Sequence, residues 1–271
     1  MPIDCKLVQK FLREVDSQIV PSISAGAARL QGYQKLLSKY QSACTAWNDR
    51  KVQHVKDIAS AVNELCIARL ILNDKKVTAA SYEPQLEGTG QSIDFLVCPA
   101  GSEARIFYDV KTVQPEERDA WDRYKRAQSK SRFALHTELC LEQKAMGGEI
   151  AHELFASREK FLEYTIELEA KIRSCPKKAL TYFRLIFCGN GHQWRRDQLE
   201  DFADFYFSGH CRADDALGPM QPHYMVEKEI TLDRSIHGFC YFARKSPDTI
   251  VDAFQCNIRG PRFPWEVSHE G

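Results

Sequence analysis

The chain has 271 residues, enough for one large domain or one domain with an added lobe, and it can bury an extensive core without disulfides or a structural metal. Hydrophobic residues make up 44% and charged residues 27%, which excludes the low-hydrophobicity, high-charge composition of disordered chains. Lys plus Arg and Asp plus Glu both number 37, so any anion-binding surface must come from local clustering rather than from the net field.

The opening stretch, MPIDCKLVQKFLREVD, interleaves charges with Leu7, Phe11, Leu12 and Val15 at helical spacing, unlike the unbroken apolar core of a signal peptide. No apolar run approaches the roughly 20 residues that a bilayer crossing needs. The ten cysteines are scattered without close pairing, which reads as reduced thiols in a cytoplasmic protein with no membrane association. Residues 4 to 48 carry helical periodicity in two pieces, broken around Pro21 and resuming after Ser24 with Leu30, Tyr33, Leu36, Leu37 and Tyr40. They are expected to form a helical N-terminal lobe, 1–48, ahead of a domain spanning 49–271.

A third helix runs from about Arg50 to Leu72, with Val55, Ile58, Val62 and Leu65 on one stripe. Its last part, CIARLIL, is apolar on nearly every face and should be buried. The period then changes to two. KVTAASY, SIDFLV and ARIFYDV read as three strands, separated by turn chemistry in EPQLEGTGQ and CPAGSE. Residues 115–175 return to a charged helical pattern and form a helical insertion. ALTYFRLIFCGNG has the continuous apolar character of a central strand buried on both faces. RRDQLEDFADFYFSG reads as an amphipathic helix stopped by Gly209, and YMVEKEITL, IHGFCYFARK and DAFQCNI as edge strands of the same sheet. The fold class is α/β, a mixed central β-sheet flanked by helices.

If SIDFLV and ARIFYDV form a hairpin looped over Ala100 to Glu103, facing residues sum to 203 and Asp94 stands opposite Asp109. Facing Cβ atoms lie about 5 Å apart, where like charges are destabilising. A cation must sit between them, or one must hold a proton. Lys111, two residues past Asp109, points to the same face. Glu64 lies where the preceding helix becomes apolar all round, flanked by Ala61 and Ala68, and can reach the sheet. It can equally pair with a nearby Lys or Arg. Clustered carboxylates are what a hard divalent cation, Mg2+ or Mn2+, requires.

A helix bearing a Glu, a three-strand meander, an Asp on the second strand and an Asp-x-Lys at the end of the third resemble the PD-(D/E)XK nuclease superfamily. Ile93 stands where that pattern has Pro, and the helical insertion is longer than a minimal core. The resemblance implies a restriction-endonuclease-like mixed sheet and a metal-dependent nuclease hydrolysing phosphodiester bonds, of DNA before RNA. It further implies that Asp94, Asp109 and Glu64 hold the metal and that Lys111 orients or activates the attacking water. Whether such an enzyme forms a homodimer to cut two strands is open.

The segment DRYKRAQSKSR places Arg123, Lys125, Arg126, Lys130 and Arg132 close enough after the Asp-x-Lys strand to contact nucleic-acid phosphates. Pairing with Glu116, Glu117 and Asp119 would make the same stretch a solvated helix face. GNGHQWRR is either a ligand-binding strand end or a plain strand-to-helix turn. Cys188 with His192, and His210 with Cys211, lack the spacing of a zinc site. Two competing functions are a catalytically inactive nuclease-fold module that binds nucleic acid or protein, and a hydrolase of small phosphorylated molecules.

Overall fold

The computed structural model describes residues 5–48, 55–112, 149–176, 178–189, 196–208, 232–244 and 250–262. Helical periodicity at the N-terminus is realised as α1 (Cys5–Glu14), a widened π-type turn (Val15–Ile19) and α2 (Val20–Ala25) in succession. Pro21 sits in the first turn of α2, where a missing N–H is tolerated, so the helix widens at Val15–Ile19 and continues past the proline. The break comes later, at Gly26.

Leu30 was expected on a helix and is found in β1 (Leu30–Gln31), paired in parallel with β2 (Val77–Tyr82). Gly32 makes this possible. Its φ of +82° belongs to the left-handed region, and a Cβ there would lie 2.9 Å from the carbonyl oxygen of Tyr82. The chain can therefore leave β1 against the backbone of β2 and turn at once into α3 (Tyr33–Asn48).

α4 (Val55–Asn73) is the apolar helix expected before the meander, and its buried residues include every position from Ala61 to Ala68. The meander follows as β2, β3 (Phe95–Pro99) and β4 (Arg105–Thr112), antiparallel throughout. Of the insertion 115–175, the described part is one helix, α5 (Glu149–Ile172). ALTYFRLIFCGNG supplies β5 (Thr181–Gly189), parallel to β4 over eight residue pairs from Arg105↔Thr181 to Thr112↔Cys188. Next come α6 (Arg196–Ser208), then β6 (Phe239–Arg244), parallel to β5, and β7 (Ile250–Cys256), antiparallel to β6. β6 was expected at an edge and lies inside, between β5 and β7.

The result is an α/β protein with a seven-stranded mixed sheet in the order β1 to β7, flanked by helices. Strand alternation divides the core in two. Ile106, Tyr108, Val110, Ile186 and Cys188 pack with residues of α1 to α4 on one face. Phe107, Leu185, Phe187 and Phe239 pack with residues of α5 and α6 on the other. The N-terminal helices belong to the first of these cores and β1 to the common sheet. Seven cysteines among the described residues are outside any disulfide, and no described helix is long and apolar enough to cross a membrane.

Candidate active site

The hairpin has the register expected of it. Phe95 faces Tyr108, Leu96 faces Phe107 and Val97 faces Ile106, each pair summing to 203. The ladder then stops, and Asp94 lies one step before the first residue of β3 instead of inside the strand. Its own side chain replaces the ladder. Val110 donates its backbone N–H to Asp94 Oδ2 at 2.6 Å, while Glu83 donates its N–H to the Asp94 carbonyl at 2.8 Å. A carboxylate thus takes the place of the backbone acceptor that β4 would otherwise find on its neighbour.

This puts Asp94 at the end of the β3–β4 ladder, inside the sheet's width and under the field of groups from both faces. Burial first, then Asp109 and then Glu64, push its carboxyl up to about 8, against the opposing pull of the Val110 N–H and Lys39. Asp109 is on β4, 1% exposed, with its side chain on the α5 face. Lys171 of α5 donates to Asp109 Oδ1 at 3.0 Å. The other oxygen, Oδ2, is buried without an aligned hydrogen bond, and Lys111 Nζ stands 3.3 Å from it. That contact is an ion pair without hydrogen-bond geometry.

Lys111 is held from three directions: by Asp109, by Glu167 Oε2 at 2.9 Å, and by the ring of Tyr164 with its centroid 5.2 Å away. Burial alone lowers its pKa, but Asp109 and Glu167 outweigh burial and leave it raised. Lys111 is therefore an ammonium here, a fixed positive charge rather than a ready base.

Glu64 approaches from the opposite face. It lies on α4, 2% exposed, and its oxygens are engaged by Lys39 Nζ at 2.7 and 2.8 Å, by Tyr82 OH at 2.6 Å and by Ser60 Oγ at 3.3 Å. The reading of a helix carboxylate paired with a lysine is the one that describes these contacts. Next to it, Asn63 donates to Thr112 Oγ1 at 2.8 Å, tying α4 to the end of β4. The sheet separates Glu64 from Asp109, and Asp94 lies between them. Among the described residues no three of His, Cys, Asp and Glu are close enough to hold a metal ion as they stand.

Arg123, Lys125, Arg126, Lys130 and Arg132 lie outside the described residues, as do His192, Trp194, Arg195, His210 and Cys211. Cys188 is a buried thiol in the core. Three participants were not foreseen, namely Tyr164, Glu167 and Lys171, all on α5. Their spacing of three and then four residues, in EYTIELEAK, puts them on one helical face over the end of β4. The signal was present, but a charged helical stripe reads first as solvated surface.

No protein-family model, no curated protein and no solved structure matches this chain. The chemistry of the site has to be read from its own residues.

Proposed function

We propose that the chain is a divalent-cation-dependent nuclease hydrolysing phosphodiester bonds, with DNA the expected substrate, on the restriction-endonuclease-like plan of the PD-(D/E)XK superfamily. The observation that carries this reading is the meeting of a buried carboxylate, Asp109, and a half-buried one, Asp94, with the ammonium of Lys111 at one end of β4. The order of elements supports it as well: a Glu-bearing helix, a three-strand meander, a helical crossover and a fourth strand parallel to the third.

The donor set fits a small hard cation. Magnesium is commonly held by one or two carboxylates with waters and substrate phosphate completing its shell, so a three-carboxylate cage is not required. Asp109 offers a buried oxygen without an aligned donor, and Asp94 a carboxyl driven toward protonation by burial and then by Asp109. Both conditions are relieved by a cation bound to the pair. Such an ion would supply Lewis acidity and lower the pKa of a bound water, so that hydroxide is available to attack phosphorus. Asp94 and Asp109 would hold it. Lys111 keeps a positive charge beside them, where negative charge accumulates on the phosphoryl oxygens as the bond breaks. Glu64, bound to Lys39 and Tyr82, contributes its field and braces β2 against α4.

One observation favours the second reading, a non-catalytic binding module. Asp109 already has two ammonium groups within 3.3 Å, so its charge is balanced without a metal. The two readings part on cleavage. Purified protein with magnesium or manganese is incubated with single-stranded, duplex and branched DNA and with RNA, beside Lys111→Ala checked for native circular dichroism. We expect a loss of about 100-fold or more in the variant, the scale of removing one preorganised charge from a transition state. Undiminished cleavage by Lys111→Ala sinks the assignment, and inertness of the parent protein toward every substrate favours the binding module.

A further inference from the structure

Asp109 is served by two lysines of different kinds. Lys111 comes from the same strand, is 17% exposed, and is fixed by Glu167 and Tyr164 as well as by Asp109. Lys171 reaches across from the last turn of α5, is 29% exposed, and among the described residues has Asp109 as its polar partner. The first is part of the framework. The second is a point charge on a four-carbon stem with a route to solvent, held by one carboxylate oxygen.

Lys171 also leaves the electrostatic problem half solved. It balances Asp109, but the groups that favour the charged form of Asp94 lie elsewhere, the neutral N–H of Val110 and the ammonium of Lys39 on the opposite face. A divalent ion contacting both carboxylates removes the repulsion between them, which one ammonium at Oδ1 does not. A third cation cannot join the two ammonium groups at Asp109 without cost: an ion at that carboxylate repels the ammonium of Lys171, 3.0 Å from it.

We propose that Lys171 is the resident cation of the Asp94–Asp109 site, in direct competition with a divalent metal ion for Asp109, and that the ion's arrival turns the lysine outward toward solvent. This rests on the metal site of the proposed function but not on cleavage. Lys171 is then a positioning residue in the metal-free protein, released from Asp109 in the loaded one.

The test is metal affinity, read by calorimetric titration of the full chain with Mn2+ at neutral pH. Lys171→Met keeps the stem and removes the charge, and should bind Mn2+ about tenfold more tightly than the parent, the scale of one charge-assisted hydrogen bond next to solvent. Lys171→Arg keeps the charge and should stay at or below the parent affinity. In thermal unfolding, Lys171→Met should melt below the parent without metal and regain the difference with Mn2+. Equal or weaker Mn2+ binding by Lys171→Met overturns the proposal, as does Mn2+ binding that persists at full strength in Asp109→Asn. Competition without cleavage of any substrate would leave this inference standing and remove the nuclease reading. Cleavage without competition would do the reverse.

Discussion

Asp94→Asn separates the two things Asp94 does. The amide oxygen of asparagine can still accept the Val110 N–H, so the bond that replaces the ladder survives while the negative charge goes. In the parent, the carboxyl titrates at about 8 in the folded chain against 3.8 as its ordinary value. Between these two values the folded state holds a proton that the unfolded state has released, so stability falls as pH rises through the window. It is fully present below about 3.8 and has reached its floor above about 8. A gap of about four pH units at 1.36 kcal/mol each sets a ceiling of ~6 kcal/mol for the cost of the charge. Relaxation and water entry reduce this, and we expect the asparagine variant to be more stable than the parent by about 2 kcal/mol above the window. The two should converge toward the acid end. Urea denaturation without metal, repeated from about pH 4 to about pH 9, measures the difference directly. A variant less stable than the parent at alkaline pH, or a difference that does not change with pH, refutes the view that Asp94 is strained by its charge.

The buried carboxylate on the opposite face should behave in the other direction. Lys39→Met strips Glu64 of its ammonium and Tyr82→Phe of a 2.6 Å donor, and each should cost about 2 kcal/mol in urea denaturation. A loss below about 0.5 kcal/mol in Lys39→Met would mean that Glu64 does not depend on the pair. Glu169 of α5 is a third buried carboxylate, taking Tyr206 OH at 2.5 Å and the backbone N–H groups of Asp233 and Ser235 at 2.9 and 3.3 Å. Glu169→Ala should speed hydrogen exchange at those two amides by about tenfold, leaving the amides between β4 and β5 at their parent rates. Unchanged exchange at Asp233 would show that the segment before β6 is held by other contacts.

The meander and its register were legible because alternation of apolar and polar residues fixes which residues face the core, and a slip of one would turn Phe95 and Val97 out. α4 and β5 were legible because they are apolar on all sides. β1 was not, since two residues inside a helical pattern carry no strand signal and their partner, Ala80, lies 50 positions downstream. Asp94 was placed within a strand because Ser92 and Ile93 continue the alternation. The side chain's capture of the Val110 N–H, which ends the ladder, leaves no mark in composition. Lys171 was hidden for a different reason: its partner is 62 residues away, and a lysine near the end of a helix is unremarkable until the helix has been docked.

The two sides of β4 differ in how firmly they are joined. On one side all eight residues pair with β5, while on the other only three pair with β3 before the ladder ends. Asp109 and Lys111 ride on the longer seam. Asp94 lies just past the end of the shorter one, tethered through Val110 and Glu83. The two carboxylates are thus anchored unequally, Asp109 within the longer seam and Asp94 by two hydrogen bonds past the end of the shorter one. At the proposed metal site, a change of ion radius should therefore be felt at the bend before β3 sooner than at the central strands.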